Sequence, residues 1–292
     1  MLTGKMRQSI VSTLAIAGLT VSAASAAPIR VVAAENFYGD VVAQIGGSQV
    51  SVTSILANPD QDPHLFEISA SVARRIADAQ LVVFNGADYD PWMDRLLAAS
   101  PTSTRQVIEV ARLVNNKAGD NPHIWYNPET MPALAMRVAE VLSRLDPAHR
   151  TAYADREAAF KQSMRGLTDR IAELRRKYAG TVVTATEPVF GYMADALGLE
   201  MRNLRFQRAI MNGTEPSAAD VAAFERDLRS GAVRVLLYNS QTQEGLAKRM
   251  RSIATEAGVP VVGVTETQPA GKRYQEWMIS ELNALEQALA KR

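Results

Sequence analysis

The 292-residue chain has no cysteine and only three histidines, His64, His123 and His149. Without thiols there is no disulfide framework and no cysteine nucleophile, and lipid attachment to an N-terminal cysteine is impossible. Other signatures are missing too. There is no G-x-S-x-G elbow, no H-E-x-x-H helix, no phosphate-binding P-loop and no G-x-G-x-x-G turn, so no residue is assigned a catalytic role. Low-complexity tracts and short-period repeats are also absent.

Long apolar runs are confined to the beginning. Met1 to Ala26 has a basic start with Lys5 and Arg7, an apolar stretch and the small-x-small close Ala24-Ser25-Ala26. This is the pattern of a cleaved secretory signal, too short and too rich in small residues for a spanning helix. The expected product is a periplasmic protein starting near Ala27, with no lipid anchor. Without Lys5 and Arg7 the chain carries 30 basic against 31 acidic residues. That balance offers no electrostatic reason to expect nucleic acid or an anionic membrane as partner.

Short β-branched runs alternate with longer amphipathic stretches. Strands are expected at 29–33, 50–56, 81–84 and 107–110, with helices at 37–45, 70–79, 91–99 and 128–145. Asn127 is placed to cap the last helix, with Pro128 at its first position; Asp90-Pro91 offers the same device. From about Ala148 to Tyr178 the pattern changes. Phe160, Met164, Leu167, Ile171, Leu174 and Tyr178 recur at intervals of four and three, one apolar stripe on a long charged helix. Gly180 is placed to follow its end. Strands then resume at 181–186, 233–238 and 259–264, with helices at 189–197, 218–229, 243–257 and 274–290. The expected fold class is α/β: two (βα) lobes with mostly parallel sheets, residues 27–146 and 180–292, joined by a backbone helix over 147–179. Ligands of open parallel sheets sit outside the carboxyl ends of strands, which here is the cleft between lobes.

Two of the three histidines share a context. His64 ends Asn58-Pro-Asp-Gln-Asp-Pro-His64 and His123 ends Gly119-Asp-Asn-Pro-His123. Proline fixes its own φ and extends the residue before it, so each imidazole leaves a stiffened loop, as a preorganised metal ligand requires. Either Pro-His alone reads rather as turn punctuation; it is the matched context of the two that points to a ligand pair. His149 lacks that context and reads as a solvated helix residue. In the second lobe Glu187 and Glu266 stand where strands end, each soon followed by proline. Two imidazoles and two carboxylates would make a compact site for Zn²⁺, Mn²⁺ or Fe²⁺.

With these residues in view, the chain resembles the zinc/manganese-type solute-binding proteins that deliver metal to ABC importers. The carriers are AENFYGDVVAQIGG, SILANPDQDPHLFE, LVVFNGADYDPWM, NPHIWYNP, the linking helix, TATEPVFGYMADALGL and VVGVTETQPAGKRYQEWM. The resemblance implies one metal in the cleft as transported cargo, a membrane permease with its ATPase as partner, a monomer, and no catalysis. It places the ligands on His64, His123, Glu187 and Glu266. The fourth position is commonly Asp in the family, so the longer Glu266 leaves Thr265, Asn239 and Gln241 as neighbouring alternatives. A two-His, two-carboxylate set is harder than a three-His one, and no histidine-rich loop lies between Asp88 and Asn121, which sets Mn²⁺ slightly ahead of Zn²⁺. A metal-dependent hydrolase, or an adhesin-like or metal-buffering protein on the same scaffold, are the alternatives.

Overall fold

The computed structural model describes Met1 and residues 27–58, 66–242 and 244–291. The signal-like segment and the loop carrying His64 lie outside the described residues.

The first lobe is a four-stranded sheet, β1 (Ile29–Glu35), β2 (Val50–Leu56), β3 (Leu81–Phe84) and β4 (Gln106–Glu109), in the order β2-β1-β3-β4. The second repeats the plan with β5 (Val182–Ala185), β6 (Glu200–Arg202), β7 (Leu236–Asn239) and β8 (Val261–Val264), in the order β6-β5-β7-β8. Every pairing is parallel. Parallel strands need crossover connections, so helices cover both faces and the strands read as nearly continuous apolar runs. Alternate residues of the first sheet serve two cores. Val31, Ala33, Leu81 and Val83 face the centre of the molecule; Val32, Ala34, Val82 and Phe84 face an outer layer with Ile76, Trp92 and Met93.

The helices of the first lobe are α1 (Asn36–Gly46), α2 (Ala70–Asp78), α3 (Trp92–Ala99), α4 (Val110–Leu113) and α5 (Thr130–Leu145). Two expected caps act elsewhere. Asn127 accepts the Glu129 N–H at 3.1 Å as a local turn before α5, not as its cap. The Asp90 carboxylate turns back to accept the N–H groups of Asn85 and Gly86 at 2.7 and 2.8 Å, closing the loop after β3.

The connecting segment is divided at Met164 into α6 (Arg150–Ser163) and α7 (Arg165–Tyr178). Backbone bonding runs through the division: Met164 N reaches Phe160 O at 3.1 Å and Thr168 N reaches Met164 O at 3.0 Å. Ser163 Oγ also takes Phe160 O, at 2.7 Å, a side-chain bond of the kind that loosens a helix locally. The apolar stripe from Phe160 to Leu174 is buried as its spacing predicts. Gly180 has φ 79°, the left-handed conformation that ends the helix without Cβ strain.

The second lobe adds α8 (Gly191–Leu197), α9 (Leu204–Met211), α10 (Ala218–Arg229), α11 (Gly245–Glu256) and α12 (Tyr274–Ala290). Strand β6 and helix α9 are not anticipated from the sequence. Three residues are too few to show a period, and α9 follows Asn203 directly, in a left-handed conformation. Among the described residues no helix is long and apolar enough to cross a membrane.

One core runs through both lobes. Phe37 lies over Trp125 at 4.8 Å between ring centroids, and Trp277 of α12 stands 5.9 Å from Phe37 and 5.7 Å from Tyr126. Tyr126 in turn meets Phe190 of the second lobe at 5.2 Å. Hydrogen bonds cross the same seam: Tyr274 Oη donates to Trp125 O at 2.6 Å, and Asn36 exchanges two bonds with the Gln268 backbone, at 2.7 and 3.0 Å. A packed, bonded seam of this kind allows small tilts rather than wide hinge opening.

At the edge of this core sits Glu281, which accepts from Trp277 Nε1 at 3.0 Å. Burial pushes its carboxyl up to about 7, against that hydrogen bond. A raised folded value favours the protonated form, so its contribution is fully present below the ordinary value of 4.5 and is lost as pH rises through about 7. Glu281→Gln is therefore expected to leave stability unchanged near pH 4 and to raise it by roughly 3 kcal/mol at pH 8. Denaturant unfolding at the two pH values checks this; an equal effect at both would refute the assignment.

Candidate metal centre

His123 and Glu266 meet between the lobes, and Glu187 lies close by on the far side of Asn239. Among the described residues no three histidine, aspartate or glutamate side chains are gathered closely enough to hold a metal ion by themselves. His123, Glu187 and Glu266 are all buried, with 0, 4 and 2 % of their surface exposed. Each is held by its neighbours in the chain. His123 leads into Ile124–Tyr126, a short helical turn whose three side chains are locked in the central core. Glu187 is extended and runs into the turn Pro188–Phe190, with Val189 and Phe190 in the same core. Glu266 comes just after β8, and the carbonyl of its neighbour Thr265 accepts from Tyr126 Oη at 2.9 Å. The loop of the first lobe and the loop of the second are thus bolted together beside these side chains.

Asn239, at the end of β7, stands between the two carboxylates. Its Nδ2 donates to Glu187 Oε1 at 3.2 Å and to Glu266 Oε1 at 2.6 Å. Gln241 Oε1 accepts the Glu266 N–H at 2.6 Å, and Gln241 Nε2 donates to Thr267 Oγ1 at 3.1 Å. Thr265 Oγ1 turns away to Thr267 O at 3.1 Å. Asn239 and Gln241 brace the Glu266 loop with their amides, while Glu266 itself faces the imidazole.

That meeting is specific. His123 Nε2 and Glu266 Oε2 lie 3.4 Å apart. Nε2 makes no hydrogen bond among the described residues. The other ring nitrogen, Nδ1, is 2.6 Å from Asn121 Oδ1. Two ligand atoms about 2.1 Å from one tetrahedral metal ion are themselves about 3.4 Å apart, a spacing that this imidazole–carboxylate pair also has. Tyr89 closes the site from the first lobe, with its ring centroid 6.0 Å from the imidazole. Burial, and then the negative charge of Glu266, hold its phenol protonated far above the ordinary range. Above it a cavity of about 630 Å³ opens between the lobes, bordered by Asp88, Asp120, Asn121 and Arg208.

Residues 31–288 match the family model described as zinc-uptake complex component A, periplasmic. The chain belongs to this family. It is similar to the manganese ABC transporter substrate-binding lipoprotein PsaA of Streptococcus mitis, 22 % identical over 97 % of this chain and 96 % of that protein. Among solved structures it resembles the periplasmic zinc binding protein TroA of Treponema pallidum, with a TM-score of 0.76 and 20 % identity over 90 % of this chain and all of the other. It also resembles the solute-binding protein FpvC of P. aeruginosa, solved with Ni²⁺, with a TM-score of 0.74 and 22 % identity over 90 and 97 % of the two chains. Members of this family are metal-binding solute-binding proteins of ABC importers, and capture of a divalent transition metal outside the cytoplasm for import is the function of this one. His149 is apart from the centre: it faces Asp146 and Tyr153 at the start of the connecting helices.

The structure also brings in residues that sequence reading passed over. Glu35-Asn-Phe-Tyr-Gly39 and Glu187-Pro-Val-Phe-Gly191 share the pattern E-x-x-aromatic-G, and each comes at the end of the corresponding inner strand of its sheet, β1 or β5. Glu35 is the first lobe's counterpart of Glu187, but its surroundings differ. It is buried beside Asp90; burial and then the Asp90 charge hold its carboxyl protonated well above the usual range. The repeat was visible in the sequence, but only the matching strand orders give it meaning.

Proposed function

We propose that His64, His123, Glu187 and Glu266 hold one divalent cation as cargo, Mn²⁺ or Zn²⁺ with Fe²⁺ as a further candidate, and that the loaded protein docks on an ABC permease served by its ATPase. The observation that carries the reading is the 3.4 Å approach of His123 Nε2 and Glu266 Oε2 inside a buried seam. Glu187 shares the Asn239 amide with Glu266. His64 enters through the family resemblance, its loop being outside the described residues. The two-nitrogen, two-carboxylate set favours Mn²⁺ slightly as the physiological ion.

Four protein ligands would leave little room for an activated water, which suits a binding component without catalysis. We further propose that it acts as a monomer, exported by cleavage near Ala26 and without a lipid anchor, because the chain has no cysteine. The packed seam suits release by distortion at the permease rather than by spontaneous wide opening.

Metal that binds only the folded state stabilises it by mass action. At free metal near 100 times Kd, Mn²⁺ or Zn²⁺ is expected to add roughly 2.7 kcal/mol, a rise in melting temperature of about 5–10 °C. Thermal unfolding of chelator-treated protein with and without each ion measures it. No shift with either ion would overturn the reading, and competitive titration of Mn²⁺ against Zn²⁺ ranks the two.

A further inference from the structure

Asn121 makes four kinds of contact at the junction of the lobes. Its Oδ1 accepts the backbone N–H of His123 at 3.2 Å and faces His123 Nδ1 at 2.6 Å. Its Nδ2 donates to Pro188 O at 2.8 Å, next to Glu187 in the other lobe. Its own carbonyl accepts from Tyr192 Oη at 2.8 Å and from Asn116 Nδ2 at 3.2 Å. The partners fix which end of the amide is which. A backbone N–H can only donate, so the atom facing it is the oxygen; a carbonyl can only accept, so the atom facing it is the nitrogen. With the amide oxygen on its Nδ1, a neutral His123 must carry its proton on Nδ1 and present the lone pair of Nε2, the atom that faces Glu266.

There is also a reserved space. A Cβ placed on Gly191 would sit 2.9 Å from Asn121 Nδ2. Gly191 opens α8 in an ordinary helical conformation, so the glycine serves the close approach of the amide and not an unusual backbone.

We propose that Asn121 is a positioning residue that sets the metal-binding tautomer of His123 and, through Pro188, ties that imidazole to the Glu187 arm of the second lobe. The two ends of one amide thereby couple the ligand of one lobe to the ligand-bearing turn of the other. This rests on the reading of His123 as a ligand, but its first consequence is visible without metal. Asparagine is required for both jobs: aspartate would still accept from Nδ1 but would set an oxygen against the Pro188 carbonyl.

The test uses the metal-free full-length mature protein with ¹⁵N-labelled histidine, reading the tautomer of His123 from its ring nitrogen shifts. Wild type is expected to show protonated Nδ1. Asn121→Ala should show a mixture of tautomers and bind Mn²⁺ and Zn²⁺ about 10–100-fold more weakly. Asn121→Asp should keep the wild-type tautomer yet weaken binding, with faster amide exchange across Gly191–Tyr192. Gly191→Ala, which leaves Asn121 itself in place, should move the tautomer in the direction of Asn121→Ala and guards against a folding defect in that variant. An unchanged tautomer and unchanged affinity in Asn121→Ala would overturn the proposal. The expected tautomer change in a protein that binds neither ion would overturn the metal reading and leave the orienting role of Asn121 standing.

Discussion

Alanine at His123 is expected to lower the affinity for Mn²⁺ and for Zn²⁺ by more than about 100-fold. Replacing a residue that merely supports a ligand costs about 10–100-fold, so removing the nitrogen that meets the ion must cost more. The loss should fall on both ions, since the imidazole suits either and the discrimination between them lies in the donor set as a whole. Glu266→Gln sharpens the comparison. It keeps the length of the side chain and an oxygen for Asn239 Nδ2, which now lies 2.6 Å from Glu266 Oε1, but it removes the negative charge. It should weaken both ions as well, without unfolding the loop that Gln241 and Tyr126 brace. Competition against a chromogenic chelator measures each constant. His123→Ala binding both ions with wild-type affinity would remove this residue from the centre.

The second large effect is on stability. Trp277 is fully buried at the junction of the lobes, against Phe37, Tyr126 and Tyr274, and its Nε1 donates to Glu281. Trp277→Ala should cost about 3–5 kcal/mol through the cavity it leaves, and the unpaired Glu281 adds about 1–3 kcal/mol. For a chain of this size that corresponds to a fall in melting temperature on the order of 10 °C or more. Trp277→Phe, which keeps most of the ring but not the donor, separates the two contributions. A fall of only a few degrees for the alanine variant would mean that the seam contributes little, and that the lobes are held mainly by the connecting helices.

Much of the architecture was legible in the chain itself. β2, β3, α10 and α12 have the bounds that their patterns predict, because a β-branched run between turn residues or a long amphipathic period is a local property. The exceptions have local causes as well. Asp90 and Asn127 are good cap residues, yet each bonds to backbone of a neighbouring turn, which a carboxylate or amide does as readily as it caps a helix. The candidate site was legible only as a set of neighbours. A histidine after Asn-Pro and glutamates at strand ends marked His123, Glu187 and Glu266, which the structure places buried around Asn239 and Tyr126. Asn121 was in plain view inside the same Asn-Pro-His motif, but nothing local distinguishes an amide that orients a ligand from one that ends a turn.

By itself the sequence determined the alternation of strands and helices, the stiff proline-flanked arms, the strand-end carboxylates, the near-zero charge and the exclusion of thiol chemistry. These come from the chemistry and spacing of neighbouring residues. Only the tertiary structure decided that Tyr126 reaches Thr265 across 139 positions, that Asn239 stands between two carboxylates, and that Glu35 faces Asp90 while its counterpart Glu187 meets Asn239. The reason is physical. Such contacts depend on how two separately patterned sheets pack across one shared core, and that packing sums many weak interactions whose partners no local period can name.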